Sequence, residues 1–178
     1  MRANAGRARL FFALWPDDGV RTLLAGRARD AQKECGGRQV RTEKIHLTLF
    51  FVGEVGRERI PELKTLGSTI GGAAFELEVD ALGYWRHNRL IWAGATRCPD
   101  PLSALVAALR RALGSVEIHE DDRPYVPHVT LVRDAIRAPK NVSVTGCAWS
   151  ARDFVLVESV RETRAARYDV LDRWPLVE

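Results

Sequence analysis

Hydrophobic and polar positions along the chain fall into blocks of two periods. Residues 9–15 form an apolar, aromatic-rich run of strand length; Pro16 stops it, and Asp17 and Asp18 have the chemistry of a helix start. Val20, Leu23, Leu24, Ala28 and Ala31 recur at helical spacing until Gly36-Gly37. Residues 44–52 read as the next strand, closed by Gly53, and a short helix is expected after Gly56 with Pro61 in its first turn and Gly71-Gly72 beyond its end. Phe75, Leu77 and Val79 alternate with Glu76, Glu78 and Asp80, so this segment predicts a half-buried strand. Residues 83–88 read as the turn that joins it, as a hairpin, to residues 89–95. Leu102, Leu105, Val106, Leu109 and Leu113 make the clearest helical stripe. A charged loop over residues 119–127 leads to another strand, and residues 154–158 and 168–171 are two more before Trp174-Pro175.

The order strand, helix, strand appears early, and a helix preceding a comparable strand appears again late. This predicts two similar lobes. No Pro, Gly or Ser tract separates them, so residues 1–178 are expected to form one two-lobed α+β domain, with antiparallel sheets and helices packed outside.

Within that pattern one short frame occurs twice: Ile45-His46-Leu47-Thr48-Leu49 and Pro127-His128-Val129-Thr130-Leu131. Residues two apart on a strand share a face, so His46 projects with Thr48 and His128 with Thr130, while the aliphatic residues between them face the core. Near neutrality one imidazole can accept a proton while another donates one, and two of them can bracket a single phosphorus. For a 2',3'-cyclic phosphate, one histidine would deprotonate water while the other protonates the departing ribose oxygen. The threonine hydroxyls would donate to the non-bridging oxygens, whose charge grows in the transition state. No metal is required. A single His-x-Thr triplet has almost no specificity; the repetition of the whole frame on two predicted strands is what carries weight.

Composition narrows the setting. A chain of 178 residues can bury a substantial core, and its net charge of +4 favours an anionic partner, although no block of basic residues marks a nucleic-acid tail. Cys35, Cys98 and Cys147 are odd in number and widely spaced, which predicts reduced thiols in a cytoplasmic protein and neither a disulfide framework nor a zinc site. The apolar run over residues 10–15 is too short for a signal peptide or membrane anchor. His119-Glu120-Asp121-Asp122 is the one cluster resembling metal ligands, but adjacent residues diverge, and a solvated loop is the simpler reading.

The two frames, together with Arg9-Leu10-Phe11-Phe12-Ala13-Leu14, Phe50-Phe51-Val52-Gly53-Glu54-Val55, Leu90-Ile91-Trp92-Ala93-Gly94 and Trp174-Pro175-Leu176, resemble the two-histidine phosphoesterases over nearly the whole chain. Within that superfamily they resemble the RNA 2',3'-cyclic phosphodiesterases, also called 2'-5' RNA ligases. The resemblance implies a bilobal fold with pseudo-twofold symmetry, one histidine strand per lobe facing a central cleft, and hydrolysis of RNA 2',3'-cyclic phosphate ends to 2'-phosphates. It implies His46 as proton donor to the leaving oxygen and His128 as the base that activates water, roles that can be exchanged. Thr48 and Thr130 take the phosphate-binding positions, and 2'-5' ligation is a secondary, reverse-type reaction. The expected partners are RNA ends or small cyclic nucleotides; no metal, cofactor, membrane or obligate protein partner is expected, and the chain is expected to act as a monomer.

Arg133 resembles an arginine that follows the second motif in this family, yet strict alternation puts it opposite His128. It is a phosphate ligand only if the strand bends or ends there, and a surface ion pair is the alternative. Tyr125, Phe50, Trp85 and Trp149 are candidates for stacking on a base, with core packing the alternative for most of them. Two rival functions stay open at this level: an RNA-binding module using the cleft without chemistry, and a metal-dependent phosphoesterase built on residues 119–122. Binding an anion alone is better served by arginine or lysine than by paired histidines, which favours an enzyme.

Overall fold

A computed structural model of the chain describes residues 6–119, 124–140, 146–161 and 166–177. Among these, ten strands and three α-helices follow one another. The first half holds β1 (Arg7–Leu14), α1 (Asp18–Cys35), β2 (Arg38–Gln39), β3 (Leu47–Gly56), α2 (Ile60–Thr69), β4 (Phe75–Val79), β5 (Ala81–Trp85) and β6 (Leu90–Gly94). The second holds α3 (Asp100–Gly114), β7 (His128–Arg133), β8 (Cys147–Ala151), β9 (Asp153–Arg161) and β10 (Ala166–Pro175). Eight strands form one sheet in the order β10-β9-β1-β3-β7-β6-β5, with β2 against β7, while β4 and β8 form a second, two-stranded sheet. The α+β class, the antiparallel pairing and the external helices are as the sequence predicts. The two histidine strands, β3 and β7, meet through a single antiparallel pair, Leu47 opposite Val129.

Local signals set the helices. The Asp17 carboxylate accepts the Val20 amide at 2.9 Å and caps α1, and Gly36 ends that helix with φ 69°. The five residues of the stripe on α3 are all buried. Packing is exchanged between halves: α1 lies against β7 and β8, whereas α3 lies against β3. Each histidine strand is therefore backed by a helix from the other half, and Leu47, Leu49, Val129 and Leu131 lie in the main core with Leu105 and Leu109 of α3 and Leu24 and Ala28 of α1.

Two expectations change. β4 does not form a hairpin with residues 89–95; it pairs with β8, Leu77 opposite Trp149, and residues 81–85 are themselves the strand that pairs with β6. Alternation identifies a strand but not its neighbour, and the Cys147, Trp149, Ala151 alternation supplies a matching apolar face far away in sequence. The first histidine strand also starts at Leu47, after a 3-10 turn over Thr42–Lys44, and runs past Gly53 to Gly56. Gly53, with φ 84°, absorbs a register shift there instead of ending the strand.

Gly37 bears directly on the second lobe. Its φ is 88°, and a Cβ on it would sit 2.6 Å from the Arg133 carbonyl oxygen and 2.9 Å from the Ala135 backbone. Gly37→Ala therefore combines left-handed backbone strain with a collision against backbone that cannot rotate away. It is expected to cost about 1–3 kcal/mol of stability, read as a lower urea midpoint at unchanged m-value.

Candidate active site

The pair Leu47–Val129 places both motifs side by side. With 47 opposite 129 in an antiparallel pair, the next residues out bring His46 toward Thr130 and Thr48 toward His128. Leu47 and Val129 are fully buried on the core side, so the four polar side chains take the other face. There they line a cleft of about 930 Å³, together with Arg133.

Arg133 reaches the cleft because β7 bulges. Against β6, Val132 is opposite Ile91 and Thr130 opposite Trp92, which leaves Leu131 without an opposite residue. The extra residue inverts the alternation, so Arg133 returns to the face of Thr130. The first lobe repeats the device: Phe50 is opposite Phe12 and Thr48 opposite Ala13, leaving Leu49 unmatched and returning Phe51 to the cleft. The unmatched leucine is the residue after the motif threonine in both cases.

Each imidazole is held in one orientation by backbone two residues before it. Nδ1 of His46 lies 2.7 Å from the Lys44 carbonyl oxygen and Nδ1 of His128 lies 2.8 Å from that of Val126. A carbonyl only accepts, so Nδ1 carries the proton in both rings, and in the neutral form Nε2 keeps its lone pair. The Thr48 hydroxyl, 3.1 Å from Nε2 of His46, donates to it. Tyr125 donates its hydroxyl to the Thr48 carbonyl at 3.0 Å, tying the segment that carries Val126 and His128 to the first histidine strand.

Aromatic rings surround both histidines. His46 lies 4.8 Å from Phe11, 5.7 Å from a stacked Trp15 and 5.4 Å from the edge-on Tyr168, over a small apolar cluster of Phe11, Ala13, Val155 and Val157. His128 lies 4.5 Å from Trp85 and 6.3 Å from Trp92. Burial among these rings lowers the pKa of His46 to about 4, with the Lys44 carbonyl opposing and the Arg133 and His128 charges adding to the shift. His128 is lowered for the same first reason, opposed by its bond to Val126 and helped by Arg133. Both shifts favour the neutral ring at pH 7.

Of the aromatic candidates, Trp85 and Tyr125 line the cleft, whereas Phe50 and Trp149 are core residues. Sequence reasoning missed Phe11, Phe51 and Tyr168. Phe11 follows by alternation from Arg9 once β1 is known to neighbour β3, but no local signal marks the other two. His87, read as a turn residue, also lines the cleft. Residues 120–122 of the acidic cluster lie outside the described residues, and no group of metal-ligating side chains occurs among those described.

An RNA 2',3'-cyclic phosphodiesterase of Escherichia coli is 34% identical over 173 residues, spanning 96% of this chain and 97% of that protein. The chain belongs to the LigT-like phosphoesterase family. Residues 14–92 match the family described as LigT like phosphoesterase. An RNA 2',3'-cyclic phosphodiesterase of Thermus thermophilus is 29% identical over 94% of this chain and 90% of its own. The crystal structure of E. coli LigT complexed with 3'-AMP superposes with a TM-score of 0.87 at 31% identity, covering 97% of this chain and 99% of that one. The resemblance seen in the motifs thus extends to the whole LigT-like fold. None of the described helices is long and apolar enough to cross a membrane.

The depressed histidines set a pH dependence of stability. Between pH 6.5 and about 4 the unfolded chain binds the proton that folded His46 refuses, so the His46 contribution to stability falls as pH drops through that window. Urea midpoints measured across pH 4 to 7 should show this decline. His46→Asn should flatten it, and saturating inorganic phosphate should reduce it by stabilising the imidazolium.

Proposed function

We propose that residues 1–178 act as one two-lobed phosphoesterase unit that hydrolyses RNA 2',3'-cyclic phosphate ends to 2'-phosphates, with His46 and His128 as the acid and base. The observation that carries this reading is the pair of imidazoles held on one cleft by equivalent Nδ1–carbonyl bonds, each beside a threonine hydroxyl. Every relative named above as an RNA 2',3'-cyclic phosphodiesterase points to the same chemistry.

In the proposed reaction Nε2 of His128 takes a proton from water as its oxygen bonds to phosphorus. The bond from phosphorus to the ribose 3'-oxygen breaks, and His46 protonates that oxygen. Burial holds His46 neutral in the empty cleft, so its acid form arises with the substrate: the phosphate anion supplies the counter-charge that desolvation removed. The Nδ1 bond to Lys44 and the π-faces nearby favour the resulting cation. Thr48 and Thr130 donate to the non-bridging oxygens, and Arg133, on the same face, neutralises charge gathering on the pentacoordinate phosphorus. A ribose 5'-hydroxyl in place of water would give a 2'-5' linkage by the same proton transfers, as a secondary activity. One chain supplies all five groups, which supports a monomeric enzyme, and three free thiols support a cytoplasmic setting.

The four nucleoside 2',3'-cyclic phosphates, incubated with the protein in excess chelator, should each yield the 2'-phosphate. His46→Ala and His128→Ala should each lower kcat by about 10²–10⁴-fold. Turnover retained in both variants would sink the acid–base assignment. RNA binding with no product from any substrate would favour the binding-module reading, and loss of activity in chelator would favour a metal site.

A further inference from the structure

The cleft holds more positive charge than one cyclic phosphate needs. Arg9, Arg110, Arg133 and Arg161 line it, and no Asp or Glu does so among the described residues. Its volume of about 930 Å³ also lies near the top of the roughly 300–1,000 Å³ range of small-molecule sites. Arg133 acts on both histidines through its charge; Arg9 lies near the start of β1 and Arg161 at the end of β9. These two arginines sit elsewhere, at the first-lobe end.

Their positions form a track. Phe11 touches the His46 ring, and Arg9 follows two residues along β1, about 7 Å further from the reacting centre. Leu10 is opposite Glu158, so Ser159 lies abreast of Arg9 on β9, and Arg161 follows after two more residues along that strand. The Arg9 guanidinium is held 4.9 Å above the Phe51 ring, which fixes its direction without consuming its charge. Glu54 faces this end; it lies 3.9 Å from Arg7 and 4.0 Å from Arg161 and stands across the strand from Arg9, so two arginines share one carboxylate and a third is its cross-strand neighbour.

We infer that Arg9 and Arg161 form a subsite for the phosphodiester groups on the 5' side of the cyclic end, so that the protein selects the end of a single-stranded RNA chain over a cyclic mononucleotide. This deepens the proposed function and rests on it. The contacts are to backbone phosphate, which makes the selection one of chain length and not of base sequence.

Two measurements test it. The first is kcat/KM for a pentanucleotide ending in a 2',3'-cyclic phosphate against that for the matching cyclic mononucleotide. The wild type should favour the pentanucleotide, and the double variant R9Q/R161Q should lose on the order of tenfold of that preference. The second is binding of a labelled pentanucleotide ending in a 2'-phosphate, followed over a salt series. Removing two phosphate contacts should make the slope of log K against log salt about 1.4 shallower. An unchanged slope, or equal losses on both substrates, overturns the subsite. Absence of turnover on either substrate by the wild type would instead refute the proposed function, and the salt slope would still decide the subsite.

Discussion

The antiparallel contact between Leu47 and Val129 is where the two halves of this protein become one site. Both side chains are buried on the core side of the sheet, and removing such aliphatic residues from water is the dominant favourable term in folding. Because a strand alternates faces, burying these two commits His46, Thr48, His128 and Thr130 to the opposite side together. The energy that assembles the core therefore also orients the chemistry. The exchange of helices adds to this: each histidine strand depends on a helix from the other half, so neither motif is positioned by its own half alone.

Around that contact, the site is tuned by desolvation. Aromatic rings exclude water from both imidazoles, backbone carbonyls fix their tautomers, and Arg133 opposes any further positive charge. The result is a cleft whose surroundings disfavour protonation of both rings. In the proposed reaction the substrate's own charge completes the acid.

Much of this was legible in the chain. The cap at Asp17, the glycines at 36–37 and the stripe on α3 are local, each set by residues within a few turns, and they fell where the pattern put them. Strand partners were less legible. The Phe75, Leu77, Val79 alternation fits any strand with one apolar face, and the choice of β8 over β6 depends on which faces the folded core leaves open. Arg133 was the instructive residue. Strict period-two alternation places it away from His128, and only the bulge at Leu131, set by the register against β6, brings it to the cleft.

By itself, the sequence determined the repeated His-x-Thr frames, the face each presents, the helix limits and, through the motifs in their order, the family. These are consequences of backbone period and residue chemistry, which act over short distances. Tertiary structure alone decided that the two histidine strands are neighbours, that bulges return Phe51 and Arg133 to the cleft, and that Phe11, Trp15 and Tyr168 desolvate His46. Register, neighbour choice and burial depend on residues far apart in the chain competing for one core, and no local pattern encodes that competition.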